Sequence, residues 1–153
     1  MPDFSQETIA ATFLDVVEQL TFMFGELEDK DELDFTDAEF TQASMEFTGD
    51  VAGTLSVTVP TAVTAEIAAN ILGLDPGDLC DQAMLDDALK EMLNVVCGHV
   101  IMAIAGRDAN FTLHAPAIAP VDPEQLQALI ADDAYFGFDL DESPVLLGLV
   151  RKG

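Results

Sequence analysis

Three polar side chains stand at helical spacing in the middle of the chain: Asp87, Glu91 and Asn94. At about 100° per residue they fall, with Gly98, along one narrow line of an α-helix. Leu85, Leu89, Met92, Val96 and Val100 fall on the opposite side, at the spacing of a core stripe. Such a helix is pinned by its apolar face and shows two acids and a carboxamide to whatever lies outside. The asparagine is the odd member, since its side chain competes for backbone hydrogen bonds and it has no capping role in mid-helix. A carboxamide offers a donor and an acceptor at neutral pH without adding charge. A solvated helix face that happens to hold Asn is the ordinary explanation, and two wider features of the sequence argue against it.

The elements around this helix can be read in order. Ser5 is placed to cap a first helix running to Phe24, with Ile9, Phe13, Val16, Val17, Leu20 and Phe24 as its apolar stripe and Gly25 as its stop. Residues 26–39 are acidic and nearly devoid of apolar content, as in a solvated loop. Thr41–Thr48 and Val51–Val59 alternate about a Gly49-Asp50 turn and predict a β-hairpin. Its second strand turns Thr54, Ser56 and Thr58 away from the core, which suits a sheet covered on one side only. Thr61 is placed to cap a second helix through Leu72, with Gly73 as its stop; Asp75–Asp78 is a turn. The motif helix starts near Leu79 or Asp81 and ends at Ala105, before Gly106. Phe111, Leu113 and Ala115 mark a third strand, and Pro116, Pro120 and Pro123 break the chain after it. Residues 124–131 form a short helix. Phe136, Phe138 and Leu140, then Val145, Leu147 and Leu149, make a closing hairpin joined at residues 141–144.

Composition bounds the rest. The chain has 153 residues, enough for a single domain over 1–153 with a core that needs no disulfide or metal staple. Half of the residues are apolar, which argues against disorder. There are 29 acids against 5 bases, a formal charge of −24. A chain this acidic repels phosphate backbones and anionic headgroups, so nucleic acid and membrane are excluded as partners. Cys80 and Cys97 lack a CxxC spacing and read as buried apolar residues of a reducing compartment. The N-terminus carries no signal-peptide pattern, and the longest apolar run, residues 95–105, is too short to span a bilayer. The expected compartment is the cytoplasm.

An internal repeat is the first of the two wider features. Leu14, Glu18, Thr21 and Gly25 lie at the same relative spacings as Asp87, Glu91, Asn94 and Gly98, offset by 73 residues. Each long helix is followed, after some intervening chain, by an antiparallel hairpin. The chain therefore reads as two copies of a helix-plus-strands unit, one armed and the other, with Thr21 in place of Asn, degenerate.

The second feature is a resemblance. An Asp or Ser, then Glu four residues on, then Asn three residues further, on a long exposed helix with a proline a little over twenty residues downstream, resembles the CheC/CheX/FliY phosphatases of bacterial chemotaxis. Here the residues are Asp87, Glu91 and Asn94, with Pro116 or Pro120 as the proline. One intact motif in the second half resembles CheX more than CheC. The resemblance covers essentially the whole chain. It implies an α/β (α+β) CheC-like fold, with an antiparallel sheet, two long helices on one face and an internal pseudo-two-fold. It also implies a phosphatase acting on the aspartyl phosphate of a CheY-like response regulator. Asn94 would then position the attacking water, Glu91 would pair with a lysine of the regulator, and Asp87 would lie in the docking surface. The degenerate copy would hold Glu18 and Thr21. No metal or cofactor of its own is implied, because the regulator brings its magnesium. A homodimer is expected, through a sheet edge at residues 41–59 or the C-terminal hairpin. The alternative is a non-catalytic module on the same fold that binds a phosphorylated regulator.

The chemistry suits the residues. An acyl phosphate is already activated and lacks only a water held in line, so the task is positioning and electrostatics. A carboxylate at that place would repel the phosphoryl oxygens, and a carboxamide does not. Other candidates fall short. A calcium loop begun at Asp29 would have Leu33 where a ligand is needed, Asp34 where glycine is needed and Phe40 at its end. His99 and His114 are isolated, Ser56 and the cysteines lack a nucleophile's setting, and Met84, Met92 and Met102 belong to helix packing. Residues 73–77 are a helix stop and a turn, not a phosphate loop.

Overall fold

The computed structural model describes residues 2–36, 38–78 and 81–152. The expected burial of Cys80 and a helix start at Leu79 lie outside the described residues.

Helix α1 (Gln6–Thr21) begins as its sequence requires, with the Ser5 hydroxyl accepting from the Thr8 N–H at 3.3 Å. It ends earlier than the expected Phe24. Phe22 takes the left-handed conformation (φ 58°) and donates its N–H to the Glu18 carbonyl, which closes the helix. Phe24 is consequently not part of the apolar stripe and is 63% exposed. The acidic stretch that follows is more ordered than a loop. It contains the short strand β1 (Gly25–Glu28) and a 3₁₀ turn at Lys30–Glu32, tied down where Lys30 Nζ donates to the Asp132 carbonyl at 2.7 Å.

The expected hairpin is present as β2 (Phe40–Gly49) and β3 (Gly53–Pro60). Helix α2 (Val63–Leu72) stops at Gly73, whose left-handed φ of 69° is open to glycine without strain. Thr61 does not cap it by its side chain; the hydroxyl pairs with that of Thr41 at 2.8 Å. The motif helix is α3 (Gln82–Ala105), capped by the Asp81 carboxylate on the Met84 N–H at 3.0 Å and closed at Gly106.

The segment after α3 departs from the sequence reading. The structure forms β4 (Phe111–Leu113) and then a second piece, β5 (Ala117–Val121), where prolines were expected to break the chain. Both pair with β2, β4 against Phe47–Gly49 and β5 against Phe40–Ser44, so together they make one interrupted edge strand. Pro120 lies opposite Thr41 and is tolerated because an edge strand needs only one row of ladder hydrogen bonds. Helix α4 (Pro123–Ala131) follows with a capping box between Asp122 and Gln125. The chain ends in the hairpin β6 (Tyr135–Leu140) and β7 (Ser143–Arg151), turned at Asp141 and Glu142, both of positive φ.

All strand pairs are antiparallel, in the order β1-β6-β7-β3-β2 with β4 and β5 outermost. The order carries the repeat. The hairpin of each half meets the other along β3 and β7 at the centre, and the outermost strands are exchanged. β1 of the first half flanks β6, and β4 and β5 of the second half flank β2. Helices α1, α2 and α3 cover one face, through Phe13, Val17, Ile67, Met92, Leu93 and Ile101 against Met45, Leu55, Val57 and Phe138.

The opposite face is not left to solvent, as the alternation of Thr54, Ser56 and Thr58 had suggested. α4 packs over part of it, where Leu126 meets Phe40 and Leu146, and Ser56 and Thr58 are buried beneath. Their hydroxyls are satisfied there. Ser56 Oγ donates to the Tyr135 hydroxyl at 3.3 Å, and Thr58 Oγ1 accepts from Gln42 at 3.1 Å. Alternation alone signals a two-sided strand, and the cover comes from distant residues, Tyr135 and Leu126, that the pattern cannot see.

Candidate functional site

The candidate site is the outward line of α3. Its position is fixed from the other side of the helix, where Leu89, Met92, Leu93, Val96, Cys97, Val100, Ile101 and Ile104 are buried. Each of these large side chains contributes about 1.5–3 kcal/mol of burial, so the helix has no freedom to rotate about its axis. Leu85, expected in the same stripe, is only half-buried because it lies in the first turn.

Asp87, Glu91 and Asn94 are all exposed. Glu91 and Asn94 are three residues apart, about 4.5 Å along the axis on one face. Among the described residues nothing hydrogen-bonds their side chains. The neighbouring Asp86 differs, since Gln82 Nε2 donates to it at 2.9 Å. An open groove beside the first turns of α3 is lined by Gln82, Asp86, Thr41 and Pro120, and its lining includes none of Asp87, Glu91 or Asn94. Small ligands bind in concavities. An exposed carboxamide outside that groove is instead suited to a macromolecular partner that brings its own cavity.

The degenerate copy is arranged otherwise. Glu18 is exposed, yet Thr21 is buried and does not share the outward line that its spacing predicts. Its hydroxyl donates to the Val17 carbonyl at 2.6 Å and accepts from the Met23 N–H at 3.2 Å. Thr21 is thus the last residue of α1 and part of its closure.

The remaining candidates take structural roles. His99 is exposed, and its Nδ1–H donates to the Val95 carbonyl at 2.9 Å. His114 lies at the interruption of the edge strand with Nε2 at 3.3 Å from the Thr48 hydroxyl. Cys97 is buried, and that burial pushes its thiol up to about 12. Among the described residues no group of three or more His, Cys, Asp or Glu side chains is placed to hold a metal. Sequence reasoning passed over the groove at Pro120, because β5 has no polar alternation and carries a proline in its interior. Pro116 is half-buried ahead of that strand and is not part of the groove lining.

An antiparallel sheet with long helices on one face and exchanged outer strands defines an α/β protein of the CheC-like class. The family model described as chemotaxis phosphatase CheX matches residues 41–128, and the chain belongs to that family. Among solved structures it is similar to the chemotaxis protein CheX from Desulfovibrio desulfuricans. The TM-score is 0.69 at 14% identity, over 95% of this chain and 97% of that one. It is similar to CheX from Vibrio vulnificus with a TM-score of 0.68 at 14% identity, over 96% and 95% of the two chains. A third similar structure is the CheX–CheY–BeF3–Mg complex from Borrelia burgdorferi. Its TM-score is 0.55 at 13% identity, over 94% of this chain and 97% of that one. At these identities the likeness shows the fold. No curated protein matches the sequence.

Proposed function

We propose that this chain, acting as one cytoplasmic domain, dephosphorylates the aspartyl phosphate of a CheY-like response regulator. The observation that carries the proposal is Asn94, an uncharged amide open to solvent on a helix immobilised by its opposite face. Membership of the CheX family and the CheY partner in the Borrelia complex support it.

In this reading the regulator docks along α3. Glu91, one turn before Asn94, pairs with a lysine at the rim of the regulator's site, and Asp87 extends the docking surface. The Asn94 amide accepts a hydrogen bond from a water and donates toward the phosphoryl oxygens, which holds the water in line with phosphorus. The water oxygen forms the new bond to phosphorus, the bond to the aspartyl oxygen breaks, and the carboxylate leaves with inorganic phosphate as the second product. The regulator's magnesium neutralises charge on the phosphoryl group; the phosphatase supplies none. A gain of about 100-fold needs about 2.7 kcal/mol. One or two hydrogen bonds to charged groups, at roughly 1.5–3 kcal/mol each, are of that size. The protein is proposed to work as a homodimer.

Single-turnover loss of aspartyl phosphate from the host's receiver domains, with wild type and with Asn94→Ala, tests this. Acceleration by wild type and not by the variant is expected. Capture of the phosphorylated regulator with no change in phosphate half-life would instead assign a binding module.

A further inference from the structure

Gly98, half-buried, is the fourth member of this line, and none of the described residues requires a glycine there. α3 runs through it without interruption from Gln82 to Ala105, and it is not among the residues of positive φ. Among the described residues, a Cβ built at Gly98 would meet no atom within 4 Å beyond its chain neighbours and the backbone of its own turns. At Gly53 and Gly148 the reason for glycine is visible. A Cβ at Gly53 would approach the Val150 carbonyl to 2.5 Å, and one at Gly148 would approach the Tyr135 ring to 2.2 Å. Glycine in a helix interior is less favourable than alanine, so an unconstrained Gly98 weakens α3 to no internal benefit.

Helix geometry supplies an external one. Side chains on an α-helix lean toward its N-terminus, so each covers the surface over the preceding turn. The side chain that position 98 lacks would lie over Asn94. With glycine there, the carboxamide is approachable from the C-terminal side of the helix as well as from above.

We propose that Gly98 is a clearance for the partner: its missing side chain lets a phosphorylated receiver domain close onto Asn94, and the size of the residue there limits access. The inference rests on the phosphatase reading given above. Gly98 touches no reacting atom in this scheme and is a positioning residue acting through the approach of the partner.

A graded series, Gly98→Ala, Gly98→Leu and Gly98→Phe, tests it. Each variant is titrated with the host's CheY-like receiver domains loaded with beryllofluoride and magnesium, and its melting temperature is recorded. Binding weakens in order of side-chain size, by more than about tenfold for Phe, as a built-in clash discriminates between fits. The melting temperature of Gly98→Ala stays level or rises. KM for the phosphorylated receiver rises in the same order, whereas Asn94→Ala lowers kcat with affinity kept. Wild-type affinity in Gly98→Phe overturns the clearance and leaves the phosphatase reading standing. A fall in melting temperature that tracks lost binding from Ala onward assigns Gly98 to the fold and overturns it as well. If wild type binds no receiver, the phosphatase reading falls and the clearance with it.

Discussion

Thr21 and Asn94 stand at matching positions of α1 and α3, and they face opposite ways: Thr21 is fully buried and Asn94 is open to solvent. Thr21 lies one turn after the buried Val17, on the core stripe of α1, whereas the residue one turn before Asn94 is the half-buried Lys90. α1 stops at Thr21, whose hydroxyl joins the Val17 carbonyl to the Met23 N–H. α3 continues to Ala105, so Asn94 remains in a regular helix with its side chain free. The pseudo-symmetric halves have therefore diverged in role, one presenting a surface and the other securing the start of β1.

Thr21→Val keeps the shape of the side chain and removes the hydroxyl. The buried Met23 N–H loses its acceptor, and a buried donor left unsatisfied costs about 1–3 kcal/mol. An unfolding free energy lowered by that amount, read as a lower urea midpoint, is expected, with receiver dephosphorylation unchanged. Thr21→Ser, which keeps the oxygen, recovers most of the loss.

Asn94→Ala lowers single-turnover dephosphorylation by about 100-fold, equivalent to about 2.7 kcal/mol of transition-state stabilisation. Stability holds or rises by a few tenths of a kcal/mol, since alanine is the better helix former and the exposed amide makes no hydrogen bond within the fold. Paired rate and denaturation measurements check both halves of this expectation.

Much of the fold could be read from local pattern. The Ser5 cap, the hairpin at Gly49-Asp50, the stop at Gly73 and the stripe of α3 all depend on neighbours within a turn or a strand. What escaped depends on distant partners. Ser56 and Thr58 look like solvent positions until Tyr135 and the cluster of Phe40, Leu126 and Leu146 gather on that face, and β5 looks like proline-broken coil until β2 supplies its ladder. At the site, Asp87, Glu91 and Asn94 were legible because helical spacing puts them on one line. The burial of Thr21 was legible too, since it falls four residues after Val17 at the spacing of the buried stripe of α1, and the match to Asn94 masked it.

Leu126→Ala tests the cover on the second face. Leu126 is buried against Phe40 and Leu146, and truncation of a buried leucine costs about 2–5 kcal/mol. The lower part of that range is expected for so small a cluster, read from urea denaturation. Amide exchange at Ser56 and Thr58 rises with it, while the rate at Asn94 is unaffected.

Glu142→Gly stabilises the protein. Asp141 and Glu142 turn the last hairpin with φ of 46° and 71°, a region that costs an L side chain roughly 1–2 kcal/mol and glycine little. The Asp139 carboxylate accepts from the backbone N–H of residue 142, so the substitution keeps that bond. Part of the gain is offset by the greater freedom of glycine in the unfolded chain. A net rise of about 0.5–1 kcal/mol in thermal or urea denaturation is expected.

Cys97 gives stability a distinctive dependence on alkaline pH. Burial holds its thiol neutral by raising it to about 12, above the usual value of about 8.5 for an exposed thiol. Between those values the unfolded chain has lost a proton that the folded protein keeps. Stability from this group is therefore complete below about pH 8.5 and declines as pH rises toward 12. Cys97→Ala removes the titrating thiol, so the difference in unfolding free energy between wild type and variant shrinks steadily from pH 8.5 to 10.5. Because the thiolate is the nucleophile, iodoacetamide at pH 8.5 leaves the Cys97 peptide unmodified in the folded protein and alkylates it in urea, read by mass spectrometry. Rapid native alkylation at Cys97 would place the thiol within reach of solvent and remove the basis for the pH dependence.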